Sequence, residues 1–140
     1  MNVRAGLAAL VLVASALVAT GCEQEQACMP EPLHVDPSRA PVGSSVVVSS
    51  PAATCDLGYA AGTQYTLTLL SVQPVSEDPP ETVVEVGSDG AFSVRVPIPA
   101  EFPLGPASIT VRGSGFDRCA EGHPPGASCV GYQVALTVVA

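Results

Sequence analysis

Proline and glycine occur along this chain so often that few segments can be helical. The 140 residues include 14 prolines and 13 glycines, and after residue 22 the longest segment without either is Thr63–Gln73. Proline breaks a helix interior and glycine weakens it. Within Thr63–Gln73, threonines alternate with tyrosine and leucine, a pattern that favours a strand. These observations predict an all-β protein.

Short alternating segments separated by turn residues predict about seven strands in one domain. In the longest segment, Tyr65, Leu67 and Leu69 share one face. Leu70 and Val72 then break the alternation, which we interpret as a bulge near Leu69. Short strands at regular spacing are typical of a β-sandwich or barrel. The other predicted strands are Leu33–Val35, Ser44–Ser50, Thr82–Val86, Phe92–Ile98, Ser108–Arg112 and Tyr132–Val138.

The segment Ser88–Gly90 predicts a hairpin between two of these strands. A loop of three residues, rather than two, places Val86 opposite Phe92 and keeps the apolar residues of both strands on one face. Such a loop needs its glycine in the left-handed conformation. The same register brings Glu85 and Arg95 close enough for an exposed ion pair.

The N-terminus has the composition of a signal peptide. Arg4 precedes a run, Leu7–Val18, that is apolar except for Ser15. This run is long enough for a signal peptide but short for a membrane span, which needs about 20 residues. Small residues follow it and end at Gly21, directly before a cysteine. Residues 1–21 are therefore predicted to be a signal peptide.

The sequence Ala19-Thr20-Gly21-Cys22 resembles the lipobox of bacterial lipoproteins. The resemblance implies a diacylglyceryl thioether on Cys22 and a location at the cell membrane, on its extracytoplasmic face. A single acyl chain anchors only marginally, whereas two anchor stably. The chain has five cysteines, so lipidation of Cys22 leaves an even number for disulfides. The alternative is ordinary secretion with Cys22 as an unpaired thiol.

The predicted domain organisation is a short acidic tether over residues 22–32 and a folded domain over residues 33–140. The formal charge of the chain is −8, and its five basic residues are all arginine. Nucleic acids and anionic lipid surfaces are bound through clustered positive charge. We therefore expect no nucleic-acid partner, and membrane contact only through the lipid anchor.

Two parts of the domain resemble the immunoglobulin-like surface repeats of bacteria known as IPT/TIG domains. The first part runs from Val35-Asp36-Pro37-Ser38 to Val46-Val47-Val48-Ser49, and the second from Asp89-Gly90-Ala91-Phe92 to Ile109-Thr110-Val111. The resemblance covers roughly residues 33–113 and implies a single immunoglobulin-like β-sandwich. It leaves the function open, because one fold serves many functions.

Four cysteines follow Cys22, and disulfides are the rule outside the cytoplasm. Three pairings are open. The immunoglobulin-like resemblance implies that all four cysteines lie at one pole of the domain. Cys119 and Cys129 flank a loop rich in glycine and proline that a local disulfide can close, which leaves Cys28 for Cys55. We therefore favour the pairs Cys28–Cys55 and Cys119–Cys129.

Metal binding is the alternative role for this pole. Cys119, His123 and Cys129, with Cys55 as a fourth ligand, have zinc-binding side chains, but they lack the paired spacing typical of zinc sites. The carboxylates expected nearby lack the regular spacing of a calcium site. These carboxylates are Asp56, Asp117 and Glu121. We predict neither a metal site nor a cofactor.

No pattern in the sequence indicates an enzyme. Glu77 and Asp78 lie in a proline-rich loop and are interpreted as part of a solvated turn, and His34 as an exposed residue. The serines lack the motifs of activated nucleophiles. We therefore predict a non-catalytic interaction module of the cell envelope that binds a protein or glycan. The alternatives are a small-ligand or metal-ion carrier using the cysteine-rich pole, and a structural spacer.

Overall fold

A computed structural model describes residues 28–74, 78–122 and 131–140, with only the backbone described for residues 119–122. In these ranges the chain is all-β apart from one short helix, and it has eight strands rather than the predicted seven. The additional strand, Arg39–Pro41, is short and buries only Ala40, so no alternation reveals it in the sequence. The elements in chain order are β1 His34–Asp36, β2 Arg39–Pro41, β3 Ser45–Ser50, β4 Gln64–Ser71, β5 Glu81–Glu85, β6 Phe92–Pro97, β7 Gly105–Arg112, α1 Gly115–Gly122 and β8 Gln133–Val139.

The strands form two sheets. One has three strands in the order β1-β3-β6, and both of its pairings are antiparallel. The other has five strands in the order β2-β8-β7-β4-β5, and it is antiparallel except where β2 runs parallel to β8. The chain passes from the first sheet to the second between Asp36 and Arg39. The edge strands of the larger sheet are β2 and β5.

The inner faces of both sheets supply one hydrophobic core. Val46 and Val48 of β3 are at most 1% exposed, and their neighbours Val47 and Ser49 are not buried. The alternation therefore marks the inner face, as predicted from the sequence. Burying an aliphatic side chain of this size stabilises the fold by about 1.5–3 kcal/mol. The buried residues of the larger sheet include Tyr65, Leu67, Leu69, Ile109, Val111, Leu136 and Val138.

The predicted hairpin between β5 and β6 is wrong, although its turn is right. β5 pairs with β4, and β6 pairs with β3, so the loop between them crosses from one sheet to the other. Gly90 has the expected left-handed conformation, with φ of 77°, and its N–H donates to the carbonyl of Gly87 at 2.9 Å. Arg95 consequently does not meet Glu85, and its guanidinium donates to Ser45 Oγ at 3.1 Å.

The predicted bulge near Leu69 is also wrong. β4 and β7 stay in unbroken register from Thr66 opposite Arg112 to Ser71 opposite Ala107. Because the register continues, Leu70 points away from the core and is 38% exposed. The break in alternation is thus an apolar outer surface and not a change in backbone geometry.

The helix α1 follows β7 and was not predicted from the sequence. Glycine occupies both of its ends, and the buried hydroxyl of Ser114 accepts a hydrogen bond from the N–H of Phe116 at 3.3 Å, as expected just before a helix. Phe116 fixes the helix to the core by stacking on Tyr132, with ring centres 4.9 Å apart. Across the described part of the chain, no helix has the length and apolar character needed to span a membrane.

Candidate functional site

The loops of the domain gather at two opposite ends. Antiparallel pairing determines which loops meet, since the start of β1 lies opposite the end of β3, and the start of β4 lies opposite the end of β7. We call one end the disulfide pole and the other the distal pole. The disulfide pole contains the described residues 28–33, 51–63, 86–91, 113–122 and 131–132, and the distal pole contains residues 42–44, 72–74, 78–80 and 98–104.

A disulfide joins the segment before β1 to the loop between β3 and β4. It links Cys28 to Cys55, with the Cα atoms 5.8 Å apart, and so confirms one of the two favoured pairs. The same loop rests on the turn between β5 and β6, because the N–H of Ala53 donates to the carbonyl of Asp89 at 2.9 Å. The disulfide therefore fastens the N-terminal segment to a loop that is itself held by the sheets.

A second contact holds this segment three residues further along the chain. The hydroxyl oxygens of Ser50 and Tyr132 lie 2.9 Å and 2.7 Å from the carbonyl oxygen of Glu31, and 3.0 Å from each other. Ser50 ends β3 and Tyr132 precedes β8, so the carbonyl is bound by residues from both sheets. Residues 28–32, which the sequence assigned to the tether, are thus attached to the folded domain.

An aromatic cluster fills the disulfide pole. Tyr65 is fully buried at its centre, and the rings of Tyr59, Phe92 and Tyr132 meet it edge-on at centroid distances of 5.5–6.1 Å. Edge-to-face contacts of this kind add about 0.5–1.5 kcal/mol each to the effect of burial. The hydroxyl oxygens of Tyr59 and Tyr65 lie 2.7 Å apart, so the polar ends of the rings pair with each other.

The hydroxyl groups of Tyr65 and Tyr132 are held in their protonated form. Burial and the hydrogen bond with Tyr59 raise the pKa of Tyr65 far above its ordinary value. Burial also raises the pKa of Tyr132, and its hydrogen bond with Ser50 partly opposes that rise. Within the described residues, every buried side-chain nitrogen and oxygen has a hydrogen-bond partner. The described part of the disulfide pole is therefore a packed cap.

The remaining predicted site residues are not brought together in the part of the chain that the structure describes. Asp56 accepts a hydrogen bond from the N–H of Gly58 at 2.8 Å, and Asp117 accepts one from the N–H of Gly113 at 2.6 Å, so both stabilise local turns. His34 is exposed, as predicted. Among the described side chains, no three of His, Cys, Asp or Glu could hold a metal ion.

Several predictions fall on residues outside this description. The pair Cys119–Cys129 stays a prediction, because the side chain of Cys119 and all of Cys129 are outside the described part of the chain. The same holds for the cysteine predicted to be lipidated and for two of the residues considered for chemistry. These residues are Cys22, Glu77 and His123, and the side chain of Glu121 is likewise not described.

The described residues form a cleft at the distal pole. It has a volume of about 790 Å³ and lies between the loop that joins β4 to β5 and the loop that joins β6 to β7. The buried ring of Phe102 contributes to its floor, and Leu70 lies on one wall. The residues that line it are Leu69, Leu70, Ser71, Pro74, Asp78, Pro79, Pro80, Pro99, Glu101, Phe102 and Pro103.

One hydrogen bond between the two loops, and two others in the cleft lining, stabilise the described walls of the cleft. The amide nitrogen of the Gln73 side chain donates to the carbonyl of Leu104 at 3.0 Å, which bridges the two loops directly. At the floor, the N–H of Phe102 donates to the carbonyl of Pro99 at 3.1 Å and closes a turn. The N–H of Leu69 donates to the carbonyl of Pro80 at 3.1 Å. The cleft is therefore a defined feature of the fold.

The sequence directed attention to the cysteine-rich pole, and the use of that pole as a binding site stays a prediction; the cleft at the distal pole was not predicted. The available signal was the pair Leu70 and Val72, which are 38% and 72% exposed and which broke the alternation of β4. Of these two residues, Leu70 lines the cleft. Comparison of the chain with family models, curated proteins and solved structures finds no match to any of them.

Proposed function

We propose that this chain is an extracytoplasmic lipoprotein, anchored through Cys22, whose immunoglobulin-like domain is a non-catalytic interaction module of the cell envelope. The distal cleft carries this proposal, because its described lining is largely apolar and one hydrogen bond joins the two loops that form it. Loops on a rigid β scaffold are common positions for recognition.

The strand order supports the immunoglobulin-like part of the proposal. In seven-stranded domains of this kind the first, second, fourth and fifth strands of the chain form one sheet, and the third, sixth and seventh form the other. With the short β2 set aside, β1, β3 and β6 correspond to the first group, and β4, β7 and β8 to the second. The remaining strand, β5, lies beside β4 rather than beside β6.

The position of the cleft agrees with an anchor at Cys22. Cys28 is fixed at the disulfide pole, and only six peptide steps separate it from Cys22. Six extended steps span at most about 22 Å. An anchored domain would therefore keep its disulfide pole near the membrane, and the distal cleft would face away from it toward partners.

Replacement of the anchoring cysteine tests the location. In the bacterial host, the wild-type chain should be recovered with membranes and should incorporate radiolabelled palmitate. Cys22→Ala should appear in the medium or periplasm without the label, because a single thioether carries the anchor.

The matched control is Gln26→Ala, which changes the same acidic segment without touching the lipobox, and it should stay with the membranes. If Cys22→Ala fractionates and labels as the wild type does, the lipoprotein proposal is wrong.

A further inference from the structure

The distal cleft has walls that an extended peptide could contact with little change in the protein. Five of its lining residues are prolines, which fix φ and lose little conformational freedom on binding. Leu70 is 38% exposed there although it belongs to a strand, so its side chain is available before any partner arrives. Apolar side chains of a partner would gain contact on these walls.

Two carboxylates stand at the rim of this apolar surface. Asp78 and Glu101 are both exposed and both line the cleft. The ion pair present within the described residues joins Arg112 to Glu81 at 2.7 Å, and neither Asp78 nor Glu101 takes part in it. None of the residues that the structure places along the cleft is basic. The rim therefore has a negative charge that is left for a partner to neutralise.

This charge argues against the other occupants of such a cleft. A two-fold dimer would bring the same patch of both copies together, so the carboxylates of one cleft would face those of the other. Anionic lipid headgroups would be repelled for the same reason. A glycan is favoured by exposed aromatic rings, whereas the aromatic ring in this cleft, Phe102, is 8% exposed.

We propose that the distal cleft binds an extended segment of an envelope protein in which a lysine or arginine stands next to apolar side chains. This inference rests on the proposed interaction function and specifies which side chains its partner contains. The apolar side chains contact Leu70 and the proline walls, and the basic group pairs with Asp78 or Glu101. Since the carboxylates are exposed, the charge contributes more to association rate and selectivity than to affinity.

A random library of twelve-residue displayed peptides tests the proposal. The full-length lipoprotein is held in phosphatidylcholine nanodiscs, which carry no net charge, and enriched peptides are sequenced. We expect peptides with a lysine or arginine beside leucine, isoleucine, phenylalanine or proline. Leu70→Ser should lower their recovery about ten-fold, Glu101→Gln should lower it several-fold, and binding should weaken between low and high salt as the charges are screened.

The matched controls are Val83→Ser and Glu85→Gln on β5, which alter an exposed apolar and an exposed acidic side chain away from the cleft lining. They should leave recovery unchanged. Enrichment of peptides without basic residues, equal loss in the controls, or no enrichment at all would overturn the proposal.

A glycan array and size-exclusion chromatography with light scattering separate this result from a failure of the interaction function itself. Glycan binding or dimer formation that Leu70→Ser abolishes would show that the cleft binds something else. The proposed interaction function would then stand, and the proposal that the cleft binds a basic, apolar peptide segment would be wrong. If Cys22→Ala shows that no anchor exists, the same library is applied to the secreted chain, so the two proposals can fail separately.

Discussion

Gly90 combines a left-handed backbone with a close contact to a neighbouring loop. Its φ is 77°, and a Cβ built on it would lie 2.6 Å from Cδ1 of Leu57. Leu57 belongs to the loop that also carries Cys55, so the turn between β5 and β6 forms the surface on which this loop packs. The sequence predicted the conformation of Gly90 because turn chemistry is local. It could not predict the contact, which joins residues far apart in the chain.

Substitution of Gly90 should lower the free energy of unfolding by more than its left-handed conformation alone accounts for. Gly62 is the matched control, since it has φ of 81° and a Cβ there would meet nothing within 4 Å. Gly62→Ala should lower the free energy of unfolding by about 1–2 kcal/mol, the cost of a left-handed residue with a side chain. Gly90→Ala should lower it by a further ~1–3 kcal/mol through overpacking.

Urea denaturation at neutral pH measures both variants, with m-values checked to ensure that the unfolded states are comparable. Equal losses for the two glycines would contradict the role of Gly90 in supporting the loop.

The disulfide between Cys28 and Cys55 attaches an otherwise terminal segment to the sheets. It closes a loop with a sequence separation of 27 residues. In the chain-entropy description, a loop of this length gives about 3.5 kcal/mol of stabilisation. The double variant Cys28→Ser with Cys55→Ser should therefore unfold at lower urea concentration, by up to that free energy. It should still fold, because Tyr132 and Ser50 continue to hold the carbonyl of Glu31.

A peptide map of the wild-type protein under non-reducing conditions provides the direct check. Cys28 should appear linked to Cys55, and Cys119 to Cys129. A peptide that joins Cys55 to Cys129 would contradict both pairs at once.

Strands were more predictable from the sequence than their partners were. The alternation of Val46 and Val48, and of Leu67 and Leu69, identifies inner faces because burial selects side chains with a period of two. Alternation does not reveal which sheet a strand joins. Val84 of β5 and Phe92 of β6 pack on the same core from opposite sheets, and a hairpin would have buried them equally well.

The candidate site was harder to predict than the fold for a related reason. Cysteine and histidine side chains indicate possible metal sites or disulfides in a sequence. The cleft is built mainly from leucine, phenylalanine and proline residues, which in a sequence indicate core and turn positions. Its walls come from two loops about thirty positions apart, joined by the hydrogen bond from Gln73 to Leu104. Only the exposed side chain of Leu70 departs from the strand pattern, and that departure has a local explanation, a bulge, which the structure rejects.

At the scale of the whole molecule, the two poles have different roles. The described disulfide pole is a packed cap that receives the N-terminal segment, and the distal pole carries the cleft. If the chain is anchored at Cys22, at most residues 23–27 are free to act as a tether, which is shorter than the ten-residue tether expected from the sequence. The domain should then be oriented with respect to the membrane.

Energy transfer to an acceptor dye in the lipid headgroups tests this orientation. An azide-bearing amino acid accepts a donor dye at Thr54 of the disulfide pole or at Glu101 of the distal pole, both of which are exposed. Transfer should be clearly stronger from position 54, because an eight-residue strand such as β4 separates the poles by about 27 Å. Insertion of twenty glycine and serine residues between 27 and 28 is the control and should reduce the difference. Equal transfer from both positions in the unmodified chain would contradict a fixed orientation.

If the chain is anchored at Cys22, the β5 edge of the larger sheet affects how neighbouring copies interact on one membrane. β5 ends this sheet, and its outward row is Glu81, Val83 and Glu85. If two copies aligned these edges antiparallel about Val83, Glu81 of each would face Glu85 of the other, which like charges disfavour. Crowding in two dimensions would therefore not join neighbouring domains into a continuous sheet through their β5 edges.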